Sequence, residues 1–126
     1  MGYESRLMIG KRLPHVHEEE PEKDWVFFQA LCRYELCVMG DTRIDGKSFY
    51  SLFDQDVDFD MFVEDGDHET RIDKYGELCR YTTPDKLLEW LKKYAVVDDY
   101  WRLPPLIALL EALKDEENLI IVHYGH

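Results

Sequence analysis

From residue 25 to residue 39 every even position is apolar: Val26, Phe28, Ala30, Cys32, Tyr34, Leu36 and Val38. The odd positions admit Gln29, Arg33 and Glu35. A period of two predicts a long strand with one buried face. A helix is the alternative, because Asp24 stands where a helix cap would. Upstream, residues 5–13 predict a first strand with Leu7 and Ile9 on one face, ended by Pro14. Residues 14–24 carry Pro14, Pro21 and a charge run, and predict a loop.

Residues 40–46 predict a turn, and residues 47–53 a short helical turn or an irregular edge segment. A second alternation follows, with Val57, Phe59, Met61 and Val63 on one side. Asp65-Gly66 supplies a two-residue hairpin turn that tolerates positive φ. With that turn, partners across the hairpin sum to 131. Phe59 then faces Ile72 and Met61 faces Thr70 on the core side, while Asp60 faces Arg71 on the other.

Two helices come next. Thr83-Pro84-Asp85 predicts a helix start: a Thr cap, Pro at the first helical position and a carboxylate near the positive end. This helix runs to about residue 95, with Leu87, Leu88, Leu91 and Tyr94 as its apolar stripe. The second begins near Pro104-Pro105 and runs to about residue 115, with Leu106, Leu109, Leu110 and Leu113 inward and Asn118 breaking it. Residues 119–124 are almost continuously apolar, as a strand covered on both faces would be. The predicted fold class is α+β: a mainly antiparallel sheet of about five strands with two helices packed on one face. A chain of 126 residues with no internal repeat predicts a single domain over residues 1–126.

Composition narrows the function classes. Apolar residues make up 45% and aromatic residues 13%, enough for a packed core and against intrinsic disorder. No apolar run approaches the ~20 residues of a membrane span. The first residues carry no apolar stretch behind them, which predicts no signal peptide. Against 27 Asp and Glu stand 15 Lys and Arg, a net charge of −12. That charge disfavours direct binding to nucleic acid or to an anionic membrane. Cys32, Cys37 and Cys79 are odd in number and have no paired spacing, which predicts reduced thiols acting as small apolar residues in a cytoplasm. The oligomeric state is not readable.

The most unusual stretch is acidic. Residues 54–69 hold eight acids, Asp54, Asp56, Asp58, Asp60, Glu64, Asp65, Asp67 and Glu69, and no Lys or Arg. An extended chain would put Asp54, Asp56, Asp58 and Asp60 on one face, about 6.6 Å apart. Such a row repels itself unless a cation sits there. It predicts either a solvated face that deters edge pairing or a docking face for a basic partner, because carboxylates can mimic phosphates. A calcium loop is the third reading of Asp54-x-Asp56-x-Asp58. It fails at Phe59, where the loop needs Gly, and at Asp65, where it needs Glu. Tyr100 and Trp101 join the candidate binding residues as the types that anchor interfaces. The alternative for Trp101 is a plug of the core between the helices.

Catalytic signatures are missing: no nucleophile motif accompanies His123-Tyr124-Gly125-His126, and no glycine-rich phosphate loop is present. His123, in the apolar closing strand, reads as a hydrogen-bonded core or interface histidine. His68 and His126 read as solvated. His15 and His17 would point the same way on an extended segment and give two metal ligands of the three a site needs. No cofactor or metal is expected.

The opening Met1-Gly2-Tyr3-Glu4-Ser5-Arg6-Leu7, together with His123-Tyr124-Gly125-His126 at the end, resembles small acidic proteins encoded by phages and prophages of Gram-positive bacteria. The resemblance covers the two ends and brings no catalytic residues. It implies an inhibitor of host machinery, of the anti-CRISPR or similar counter-defence type. The expectation is therefore a non-catalytic acidic protein in the cytoplasm of a bacterial host, docking on a basic, nucleic-acid-handling host protein. An immunity protein against a nuclease toxin fits the same features. The enzyme alternative is a small metal-dependent hydrolase using His15, His17 and nearby carboxylates.

Overall fold

The computed structural model describes residues 5–36, 43–44, 47–48, 50–62, 69–94 and 101–125. In chain order the strands are β1 (Ser5–His15), β2 (Trp25–Glu35), β3 (Arg43–Ile44), β4 (Lys47–Ser48), β5 (Gln55–Asp56), β6 (Met61–Phe62), β7 (Glu69–Thr70) and β8 (Arg80–Thr82). Helices α1 (Pro84–Tyr94) and α2 (Leu103–Leu113) and the closing strand β9 (Leu119–Gly125) follow. Five strands form one sheet in the order β2-β1-β9-β8-β5, every pair antiparallel. The fold is α+β, as the sequence predicts.

Of the strand and the helix that residues 25–39 allow, the strand prevails over the described part. The single buried face does not hold, because the strand changes face partway. The ladder between β1 and β2 shifts register between Ile9 and Gly10, so that Ile9 pairs with Cys32 and Gly10 with Ala30. Leu31 is the extra residue, a β-bulge that reverses which side the even positions take. Cys32 and Tyr34 pack with Leu7, Ile9 and the two helices. Val26 and Phe28 pack on the opposite face with Met8, Phe59 and Val122. An unbroken apolar period in the sequence therefore serves two cores.

Those two cores explain the closing strand. Leu119 and Ile121 point into the helical core, beside Leu87, Leu91, Leu103, Leu106 and Leu110. Ile120, Val122 and Tyr124 point into the other, beneath Val57, Phe59 and Met61. All seven residues of β9 are buried, as its continuous apolarity predicts. The helices cover one face, and the acidic segment itself covers the other.

One boundary expectation and one capping expectation are corrected. Pro14 does not end β1, which continues through the pairs Pro14 with Val26 and His15 with Trp25. Pairing of β1 with β9 stops at Lys11, so the absent N–H of Pro14 breaks no ladder on that side. The first helix starts at Pro84 and takes the carbonyl of Thr83 into its first hydrogen bond, donated by Leu87 N–H at 3.3 Å. The Thr83 hydroxyl is buried and has no hydrogen-bond partner, so it is not the expected side-chain cap. Asn118 does break the chain after α2, at φ 62°, a left-handed conformation that Asn tolerates better than most residues.

Candidate functional site

The register between β6 and β7 is the one expected from the sequence, and residues 63–68, with the predicted Asp65-Gly66 turn, lie outside the described residues. Met61 pairs with Thr70 and Phe62 with Glu69, both summing to 131. Asp60 meets Arg71 at 2.9 Å, as that register requires. Phe59 does not pair with Ile72, which bridges Leu78 instead. Val57, Phe59 and Met61 are buried, and Asp54, Asp56, Asp58 and Asp60 point to solvent.

The carboxylates do not form one continuous strand edge. Strand β5 covers only Gln55–Asp56, and β6 begins at Met61. Each carboxylate meets a cation of the same chain, from a different element. Asp54 lies 3.9 Å from Lys86 on α1, Asp56 3.4 Å from Arg80 on β8 and Asp58 2.5 Å from Arg12 on β1. Asp60 takes Arg71 beyond β7. The repulsion expected within the row is therefore offset internally. Arg12 grips Asp58 with both arms of its guanidinium, Nε to Oδ1 at 3.0 Å and Nη2 to Oδ2 at 2.5 Å. Exposed pairs of this kind add little to stability.

Those hydrogen bonds set a pH dependence. The bond from Arg12 holds the Asp58 carboxyl below its ordinary pKa, and the bond from Arg71 does the same for Asp60. A carboxylate depressed in the folded state adds stability above its unfolded pKa and loses it as pH falls through the folded value. The melting temperature should therefore drop as pH is lowered from about 5 through the ordinary aspartate range near 3.9. Asp58→Asn should flatten that acid limb in a thermal-melt series. A limb of the same steepness in the variant would assign the acid sensitivity to other groups.

Other candidate residues are placed unevenly. Glu64, Asp65, Asp67 and Tyr100 lie outside the described residues, as do Cys37, His68 and His126. Trp101 is 70% exposed, with the Arg102 guanidinium 5.0 Å from its ring centre, so it does not plug the core. Its neighbour is held: Arg102 Nη1 donates to the carbonyl of Glu35 at 2.7 Å, and the Tyr34 hydroxyl donates to the carbonyl of Arg102. His15 and His17 stand 4.9 Å apart in an edge contact, and His15 is also 4.9 Å from Trp25. The two rings belong to an aromatic file that continues to Phe27. Among the described residues, no group of three His, Cys, Asp or Glu is placed to hold a metal ion. Cys32 and Cys79 are free. Burial pushes the Cys79 thiol up to about 12, with the charge of Asp73 adding to the shift, so it stays protonated at neutral pH.

Sequence reading missed a pocket of about 590 Å³. Its floor is a row of side chains crossing three strands in direct register, His123 on β9, Arg80 on β8 and Asp56 on β5. The Phe53 ring lies 5.4 Å from that of His123 and, with Ser51, walls one side. The other wall is the turn bearing Asp73, Tyr75, Glu77 and Leu78. Asp73 builds this turn by accepting the N–H groups of Tyr75 at 2.8 Å and Glu77 at 3.1 Å. Gly76, at φ 80°, supplies the left-handed step. Lys74 N–H donates to the Gly125 carbonyl at 3.2 Å and ties the turn to the end of β9. The one sequence signal was His123, an ionisable residue inside an otherwise apolar strand.

Among the described residues no helix is long and apolar enough to cross a membrane. No protein-family model, curated protein or solved structure matches the chain.

Proposed function

We propose that the protein is a non-catalytic binding protein that docks through its acidic surface on a basic, nucleic-acid-handling partner. The observation that carries this reading is the outward line of Asp54, Asp56, Asp58 and Asp60, held in place by the burial of Val57, Phe59 and Met61 between them. These carboxylates are between 45% and 66% exposed, and of their cations Lys86, Arg80 and Arg71 are exposed while Arg12 is partly buried. Weak surface pairs exchange readily for the Arg and Lys of a partner. The net charge of −12 adds long-range attraction. A phage-encoded inhibitor of a host nucleic-acid enzyme, of the counter-defence type, is the form this reading takes, acting in the bacterial cytoplasm. An immunity protein against a nuclease toxin would use the same chemistry.

The test is affinity capture with the native chain and with a variant carrying D54N, D56N, D58N and D60N. The native chain should retain a basic protein that elutes as salt is raised, and the variant should retain about tenfold less, since four steering charges are gone. Equal retention by both chains, or retention of a protein with no basic surface, would contradict the reading.

A further inference from the structure

We propose that the pocket floored by His123, Arg80 and Asp56 receives a cationic side chain of the basic partner, arginine before lysine. This inference rests on the reading of the protein as a binder of basic proteins and gives that reading an anchor point. The volume of about 590 Å³ lies within the range of ligand pockets. Its lining holds three carboxylates, Asp56, Asp73 and Glu77, against one guanidinium, so its carboxylates outnumber its guanidinium by two. An anion would have to meet that excess, and a cation relieves it.

Geometry favours a long stem with a charged tip. Tyr75 and Leu78 are exposed apolar surfaces at the wall, 53% and 41% open. They suit an aliphatic stem and, at the Tyr75 ring, the face of a guanidinium. Arg80 stands 3.4 Å from Asp56, a loose pair in which both side chains are more than 60% exposed. The Asp56 carboxylate is thus open to a second, better-aligned donor, and a planar guanidinium offers two parallel N–H groups where an ammonium offers a point charge. The turn is already built by its hydrogen bonds to Asp73, so binding need not order it.

The probes are N-acetyl-arginine methylamide, its lysine and norleucine counterparts and inorganic phosphate, each titrated against the full chain and followed by backbone amide NMR. The arginine probe should shift the amides of Asp73, Tyr75, Glu77, Arg80 and His123, the lysine probe less, and norleucine and phosphate not at all. Glu77→Gln should weaken the arginine probe at least about fivefold through loss of one charge-assisted contact, with an unchanged melting temperature. Asp85→Asn, which removes a carboxylate from α1 outside the pocket, should leave it unaffected. Phosphate binding at these amides, or an arginine probe that shifts none of them, would overturn the proposal. Failure of the broader reading looks different. An arginine probe that binds here while capture yields no basic protein keeps the cation pocket and removes the basic partner. A silent arginine probe beside a captured basic partner removes the pocket alone.

Discussion

Gly10→Ala should be among the most damaging single substitutions in the sheet, and Gly10→Val worse. A Cβ at residue 10 would lie 2.3 Å from the backbone oxygen of Gln29 and 2.8 Å from the Cα of Ala30. The Phe28 ring edge would be 2.9 Å away. Two of these neighbours are backbone and cannot rotate aside. Relief requires moving β2 away from β1 beside the bulge, where both cores meet. Overpacking of this severity costs about 3 kcal/mol or more. That is a large share of the roughly 5–15 kcal/mol that holds a domain folded. Thermal melts should show Gly10→Ala about 10 °C below the parent. A variant melting with the parent would mean that the two strands approach less closely at the bulge than the geometry shows.

Phe59→Ala is the second large effect. Phe59 is 1% exposed, stacks on Phe28 at 5.1 Å with planes 11° apart and lies 6.3 Å from the Tyr81 ring. Removing it empties the core under the acidic segment and should cost about 3–5 kcal/mol. The contrasting variant, Asp56, Asp58 and Asp60 all to Asn, should fold. Relief of repulsion within the row, taken alone, would raise stability slightly. The ion pairs reverse that sign, because Arg12 and Arg71 lose their partners. A modest loss, below the Phe59→Ala loss, is now expected in denaturant unfolding. If the triple variant unfolds while Phe59→Ala melts normally, the two faces of the segment have been interchanged.

Alternation and an Asp-Gly signal are local, and they are enough to predict the 131 register of the β6–β7 pair and the Asp60–Arg71 contact. The leucine spacing of α1 and α2 and the unbroken apolarity of β9 were equally local, and the sheet-plus-helices fold followed from them. The bulge at Leu31 was not local. It depends on the register against Gly10, and an even-position pattern reads the same with or without it. The partners of the acidic residues failed to show for a similar reason: Arg12 is 46 residues from Asp58, and only the position of β1 in the sheet brings them together. The pocket row of His123, Arg80 and Asp56 is likewise a product of strand order, since its members come from three strands of distant sequence.

Steering onto a basic partner by acidic side chains is the proposal at stake. Its most direct test is the association rate with the captured partner across ionic strength, from ~0.01 M, where the Debye length is ~30 Å, to ~0.15 M, where it is ~8 Å. The rate should fall about tenfold or more over that range while dissociation changes little. The four-Asn variant should start slower and respond less. An association rate that stays level with salt for the native chain would contradict electrostatic docking by this surface.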